Sequence, residues 1–232
     1  MTSNNPITIT RQQHTPATVH IRQASPGDTQ PSRTIEGYAI LFNTPSAPLW
    51  QDDYETAREQ IAPEAVTQAL LDASDIKMTM NHNFSTLLAR SKQGHGTLTY
   101  SIDKRGVHFS FEAPHTDDGD RALELVSRGD IDGCSFMFTC QYSDPNAVER
   151  TQNTNPDTGH TEILYTVRHI KAIHDFTLTP MPAYPDTEVN TRTLREMTSP
   201  ATHQRGCSPA VGTQQVAQQV AQMRHKAATP LA

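Results

Sequence analysis

The sequence has 232 residues, a formal net charge of −6 and 35% hydrophobic residues, which suits one sizeable domain with polar ends. Lysine and arginine form no dense cluster, and this disfavours binding to nucleic acid through charge. No apolar run approaches the roughly 18–20 residues of a membrane span, and the start does not resemble a signal peptide. We therefore expect an intracellular, soluble protein with no membrane partner and no specific nucleic-acid partner.

Cysteine and histidine usage gives no sign of a metal or cofactor site. The three cysteines are an odd number without CxxC spacing, and the 11 histidines are scattered without an HExxH motif. These patterns disfavour a disulfide framework and a zinc site. We expect no cofactor and no metal.

Hydrophobic periodicity and turn residues divide the middle of the chain into strands and two short helices. In chain order the sequence predicts a strand at 18–24, a strand at 35–43, a loop at 43–56, a helix at 62–74, a strand at 76–83, a hairpin at 95–113, a helix at 117–129, a strand at 134–142, a loop at 143–160 and strands within 161–180. Many strands with two short helices indicate a mainly β fold, either a barrel or a strongly curved sheet with peripheral helices.

Composition separates a folded middle from two polar ends. We expect residues 31–196 to form the folded domain, after a polar N-terminal segment at 1–30. From residue 197 to 232 the chain is rich in Ala, Gln, Thr and Pro, which predicts a flexible tail. A QQVA repeat inside this tail also fits a weak helical stripe, so a docking segment is the alternative to a disordered end.

Three polar side chains occur where a serine hydrolase would need them. Ser135 follows Gly133 in GDIDGCSFMF, His82 ends an alternating strand, and Asp175 lies among apolar residues in IHDFTLTP. A serine hydroxyl becomes a good nucleophile when a base, usually histidine, takes its proton and a third group orients that base. Taken singly, each residue is more simply interpreted as an ordinary strand residue. His174 is an alternative third member, because a histidine also orients a histidine.

Six segments in a fixed order resemble the prohead (capsid maturation) proteases of tailed bacteriophages. They are EGYAILFN, APEAV, MNHN, LLARSKQGHGTL, RGDIDGCSFMF and DFTLTPMPAYPDTEV, and they fall within residues 34–190. Their order carries the resemblance more than any one segment does.

The resemblance implies a fold similar to that of herpesvirus assembly proteases: a mainly β (α+β), closed antiparallel β-barrel with a few peripheral helices. It implies a serine endopeptidase that cleaves the major capsid protein and the scaffold protein inside the assembling prohead, in the host cytoplasm, and that also cleaves itself. The matching segments give His82 as the base and Ser135 as the nucleophile. Asp175 stands where many relatives have a glutamate. A homodimer or other self-association is a further expectation.

Other functions are compatible with the same residues. An inactive site on this fold would make a capsid-assembly scaffold module, and the same triad would serve an esterase, although the GxSxG elbow is absent. Cys134 is a rival nucleophile, because a thiol is intrinsically more nucleophilic than a hydroxyl. For an oxyanion, the loop after the last strand offers the backbone N–H of Met181 or Ala183.

Strand alternation raises an objection to this triad. His82 shares its parity with Met78 and Met80, which we expect to face the core, whereas Ser135 lies on the face opposite Phe136. His82 and Ser135 face one cleft only if a bulge or a strand end reorients one of them.

Overall fold

β-Strands dominate the part of the chain that the structure describes. The computed structural model describes residues 8–15, 18–26 and 30–180. In chain order its elements are β1 (Thr8–Thr15), β2 (His20–Ile21), β3 (Thr34–Leu41), β4 (Trp50–Gln51), β5 (Glu55–Ile61), α1 (Gln68–Ala73), β6 (Asp75–Met80), β7 (Ala89–Lys92), β8 (His95–Gly96), β9 (Leu98–Ile102), β10 (Gly106–Glu112), α2 (Asp117–Ser127), β11 (Gly133–Gln141), β12 (Val148–Thr154), β13 (Thr161–Val167) and β14 (Ile170–Thr179). The mainly β class expected from the sequence is confirmed.

The strands form three sheets. Sheet I has six strands in the order β1-β11-β14-β6-β7-β8, sheet II has four in the order β2-β3-β10-β9, and sheet III has four in the order β12-β13-β5-β4. Most neighbours are antiparallel, but β14 pairs parallel with β6, and β13 pairs parallel with β5.

The sequence predicted a closed antiparallel barrel, and the prediction of closure is wrong. Among the described residues no sheet closes, because each one ends on strands that pair on one side only. The parallel pairs explain part of this difference. Parallel neighbours need a long crossover instead of a hairpin, and between β6 and β14 the chain passes through strands of all three sheets and α2. Similarity to the herpesvirus protease fold stays a prediction.

Aromatic side chains from sheets I and II pack together in the core. The ring centroids of Phe109 and Phe176 lie 6.4 Å apart, and those of Phe136 and Phe138 lie 5.1 Å apart. All four side chains are fully buried. Phe136 and Phe176 lie directly opposite each other where β11 pairs with β14, and these two strands carry Ser135 and Asp175.

Five strands, β1, β4, β5, β7 and β12, occur where the sequence predicted none. β4 and the start of β5 lie inside the predicted loop at 43–56, which is therefore wrong in part. β1 lies inside the N-terminal segment that was expected only to be polar, and it pairs with β11. β12 lies inside the predicted loop at 143–160 and pairs with β13 along its whole length. Val148 is the one buried residue of β12, so this strand lacks the apolar alternation that reveals a strand.

The predicted helix at 62–74 is interrupted. A short 3₁₀ turn covers Pro63–Ala65, and Val66 and Thr67 have extended backbones. The Thr67 hydroxyl accepts the N–H of Leu70 at 3.1 Å, a typical N-cap, and the α-helix therefore begins one residue later.

The strand predicted at 18–24 is reduced to the two residues of β2. The predicted tail at 197–232 lies outside the described residues. In the part of the chain that is described, no helix is both long and apolar enough to cross a membrane.

Replacing Phe176 by alanine should lower the free energy of unfolding by about 3–5 kcal/mol, the usual cost of deleting a buried phenyl ring. Urea denaturation followed by circular dichroism measures this loss. Phe84→Ala is the matched control, because Phe84 is 53% exposed and should change stability by no more than about 0.5 kcal/mol. Equal losses in the two variants would contradict the described core.

Candidate active site

Three neighbouring strands of sheet I bring the predicted site residues together. β14 lies between β11, its antiparallel neighbour, and β6, its parallel neighbour. In one row Ser135 is opposite Thr177, and Thr177 is opposite Thr79. Asp175 lies two residues before Thr177 on the same strand, so the two side chains project from the same face of the sheet.

His82 reaches this face because β6 ends before it. The strand stops at Met80, and Asn81 and His82 both have positive φ, 52° and 54°. Two consecutive left-handed residues break the alternation of the strand, so His82 does not follow Met78 and Met80 into the core. The turn at the end of β6 therefore allows His82 and Ser135 to face the same side of the sheet.

The imidazole of His82 lies between the other two predicted residues. Its Nε2 lies 2.9 Å from Oγ of Ser135. Its Nδ1 lies 3.0 Å from each carboxylate oxygen of Asp175. Because a carboxylate only accepts hydrogen bonds, Nδ1 carries the ring proton, and Nε2 is left to accept the hydroxyl proton of Ser135.

The three groups differ in their exposure to solvent. Asp175 is fully buried and Ser135 is 1% exposed, whereas the His82 side chain is 14% exposed. A buried carboxylate is costly unless a partner compensates for its lost hydration. The N–H of His82 is such a partner, and this requirement fixes the orientation of the ring.

Two threonine hydroxyls, neither of them predicted from the sequence, form hydrogen bonds with groups of the site. Thr177 Oγ1 accepts the backbone N–H of His82 at 2.9 Å. The hydroxyl of Thr79 donates to Thr177 Oγ1 at 2.9 Å and lies 3.3 Å from Asp175 Oδ2. Both threonines are fully buried, but a threonine in a strand is ordinary, so no signal in the sequence distinguished them.

Of the two candidates for the third residue, Asp175 is the one that contacts His82. Adjacent residues in a strand point to opposite faces, and the His174 ring lies on the other side of β14. There its Nε2 lies 2.7 Å from the hydroxyl of Thr139.

The rival nucleophile Cys134 is fully buried. Burial raises the pKa of its thiol well above the usual range, and the nearby Asp175 carboxylate raises that pKa further. Because the thiolate is the reactive form of cysteine, a thiol held protonated is a poor nucleophile.

Two other expectations concern groups around the site. Within the described ranges no group of three or more His, Cys, Asp or Glu residues is arranged to hold a metal ion. Met181 and Ala183, the expected oxyanion donors, lie outside those ranges.

Comparison with known proteins identifies a family. The family model described as Caudovirus prohead serine protease matches residues 18–200. No curated protein matches the chain. Among solved structures, the bacteriophage T4 capsid assembly protease, gp21, is similar over 72% of this chain and 98% of that chain, with 9% identity and a TM-score of 0.39. A similarity at that TM-score is too weak to establish a shared fold.

Replacing Asn81 by valine should destabilise the protein by about 1–2 kcal/mol, because a β-branched residue is strained at positive φ. Asn81→Gly should be tolerated, since glycine adopts this backbone conformation readily. Thermal and urea denaturation measure the difference. Asn153→Val, on the exposed part of β12, is the matched control and should leave stability nearly unchanged. A harmless Asn81→Val would argue against the left-handed turn before His82.

Proposed function

The chain belongs to the Caudovirus prohead serine protease family, and from this premise we propose that it is a serine endopeptidase of capsid maturation with Ser135 as nucleophile. His82 is the general base, and Asp175 orients it. The observation that carries the proposal is the position of the His82 ring, with one nitrogen at Ser135 Oγ and the other at the Asp175 carboxylate. The chain order of the three residues is no objection, because geometry and roles define a triad.

Acylation begins when Nε2 of His82 takes the hydroxyl proton of Ser135. The serine oxygen bonds to the scissile carbonyl carbon, and the π electrons of the C=O bond move to its oxygen. When the C–N bond breaks, His82 donates the same proton to the leaving amine nitrogen. Throughout, the proton stays on Nδ1, and the Asp175 carboxylate accepts a hydrogen bond from this N–H and stabilises the positive charge of the imidazolium.

Deacylation repeats these steps with water. His82 takes a proton from the attacking water, whose oxygen bonds to the ester carbonyl carbon of the acyl-enzyme. Collapse of the tetrahedral intermediate breaks the bond to Ser135, and His82 returns the proton to Oγ. Thr177 assists both halves by holding the backbone of His82 in the required turn.

A surface next to His82 supports a polypeptide as the substrate. Phe84 is 53% exposed and Leu87 is 45% exposed, and both follow His82 closely in the chain. Their loop is held by its own hydrogen bonds, including one of 2.8 Å from the Thr86 hydroxyl to the carbonyl of Asn83. Apolar side chains of a bound peptide would cover these groups, and a small ester would leave them in water.

The proposed substrates are the major capsid protein, the scaffold protein and the chain itself, cleaved inside the assembling prohead in the host cytoplasm. In this proposal residues 31–196 are the protease domain. The tail at 197–232 is either removed by self-cleavage or docks the enzyme on the scaffold.

Ser135→Ala should abolish cleavage of all three substrates without unfolding the protein, because it removes only the attacking oxygen. Intact-mass spectrometry after assembly with capsid and scaffold proteins would detect trimming of each chain, including trimming of the tail. The matched control is Cys134→Ala, which changes the adjacent residue and should retain activity. Cleavage that survives Ser135→Ala but is lost in Cys134→Ala would reverse the assignment of the nucleophile.

Asp175→Asn should reduce kcat by about 10⁴-fold, because an amide in place of the carboxylate favours the wrong tautomer of the histidine. His174→Asn should change kcat little, since His174 lies on the opposite face of the strand. Steady-state hydrolysis of a peptide substrate measures both rates. A large loss in His174→Asn with little loss in Asp175→Asn would make His174 the orienting residue.

A further inference from the structure

Strand β1 occupies the outer edge of the strand that carries the proposed nucleophile. β1 pairs antiparallel with β11 along all eight of its residues, and position 14 is directly opposite Ser135. On its other side β11 pairs with β14. Any further strand that paired with the backbone of β11 would therefore have to take the place of β1.

β1 lies outside the part of the chain that matches the family. The match begins at residue 18, whereas β1 ends at Thr15. Immediately after it, the backbone N–H groups of Thr18 and Val19 donate to the carbonyl of Asp132 at 2.8 and 3.0 Å. These two bonds fix the chain at the start of β11 independently of β1, so β1 is an addition to the matched domain.

Ser135 is buried in the structure, in which β1 pairs with β11. Ser135 is 1% exposed, and its neighbours Cys134 and Phe136 are fully buried. A substrate carbonyl has to approach the attacking oxygen to about 3–3.5 Å, so part of the surroundings of Ser135 has to move. Departure of β1 would open the edge of β11 and leave every strand pair inside the family-matched region intact.

The composition of β1 also favours a reversible attachment. Its sequence, TITRQQHT, contains one large apolar residue, Ile9. β1 and β11 are joined by the backbone pairing of an antiparallel ladder, and an incoming extended peptide forms the same kind of main-chain hydrogen bonds.

We propose that the edge of β11 at Ser135 is the binding site for an extended segment of the substrate polypeptide, and that β1 is the chain's own segment held there in place of substrate. This inference rests on the proposed function and specifies how its substrate binds. A peptide added as an antiparallel strand brings its backbone next to Ser135. While β1 competes for the edge, the apparent affinity for substrate equals the intrinsic affinity multiplied by the fraction of molecules whose edge is open.

A reversible disulfide between β1 and β11 tests the proposal in the full-length chain. Thr8 lies directly opposite Gln141 at the end of β1 remote from Ser135, and Gln141 is exposed. Opposed residues of antiparallel strands lie about 4.5–5.5 Å apart at Cα, a separation that a disulfide spans. The variant is Thr8→Cys/Gln141→Cys, compared in its oxidised and reduced forms, with Gln141→Cys alone as the control for the oxidant.

Two probes of Ser135 separate the outcomes. A peptidyl phosphonate needs the binding edge, whereas diisopropyl fluorophosphate needs only an activated serine. We expect the peptidyl probe to label the oxidised form at least about tenfold more slowly than the reduced form, because the closed edge lowers the binding-competent fraction. Equal rates in the two forms would overturn the proposal. Failure of the small probe to label even the reduced form would instead refute the proposed function.

Loosening β1 should have the opposite effect. In an antiparallel pair one of two consecutive residues exchanges backbone hydrogen bonds with the partner strand, so Gln12→Pro/Gln13→Pro removes at least one such donor. Labelling by the peptidyl phosphonate should become faster than in the native chain. Ser3→Pro, which precedes β1, is the control and should leave the rate unchanged. An unchanged or slower rate in the double-proline variant would count against β1 as the competitor.

Discussion

The buried carboxylate of Asp175 constrains every other part of the site. A carboxylate that has lost its hydration needs a donor of matching geometry, and Nδ1 of His82 lies 3.0 Å from both of its oxygens. This contact determines which ring nitrogen holds the proton and which one is directed to Ser135. The hydrogen bonding of the Ser135 hydroxyl therefore depends on a carboxylate that lies on the far side of the imidazole from it.

Strand order provides the scaffold for this contact. β14 sits between β11 and β6, so the residue rows of three strands lie side by side in one sheet. The parallel partner β6 ends at Met80, and the positive φ of Asn81 and His82 turns the imidazole over the face that carries Asp175. Thr177 secures the turn by accepting the backbone N–H of His82. A strand that continued in regular alternation would have sent His82 towards the core.

Much of this site was predictable from the sequence because the residues concerned sit in strongly patterned strands. Alternation located the strands around Ser135 and Asp175, and the family resemblance selected His82 among 11 histidines. A sequence does not show where a non-glycine residue adopts positive φ. The turn at Asn81 and His82 was therefore not predicted, and alternation placed His82 and Ser135 on opposite faces. The role of Thr177 was also hidden, since a threonine in a strand is ordinary.

Two of the missed strands, β1 and β12, share a different cause. β1 and β12 are polar strands whose formation depends on pairing with a partner distant in the chain, and local pattern does not report such pairing. The closed barrel was inferred from strand content and resemblance, neither of which determines which edges meet. Local sequence patterns also do not predict the parallel pairing of β14 with β6, which are far apart in the chain.

The protonation of His82 is the most direct test of the account. ¹⁵N NMR of the histidine-labelled protein distinguishes a protonated ring nitrogen from an unprotonated one by chemical shift. For the neutral ring we expect a protonated Nδ1 and an unprotonated Nε2, because Asp175 accepts a hydrogen bond from the first and Ser135 donates one to the second. A ring protonated at Nε2 and bare at Nδ1 would contradict the proposed relation among the three residues.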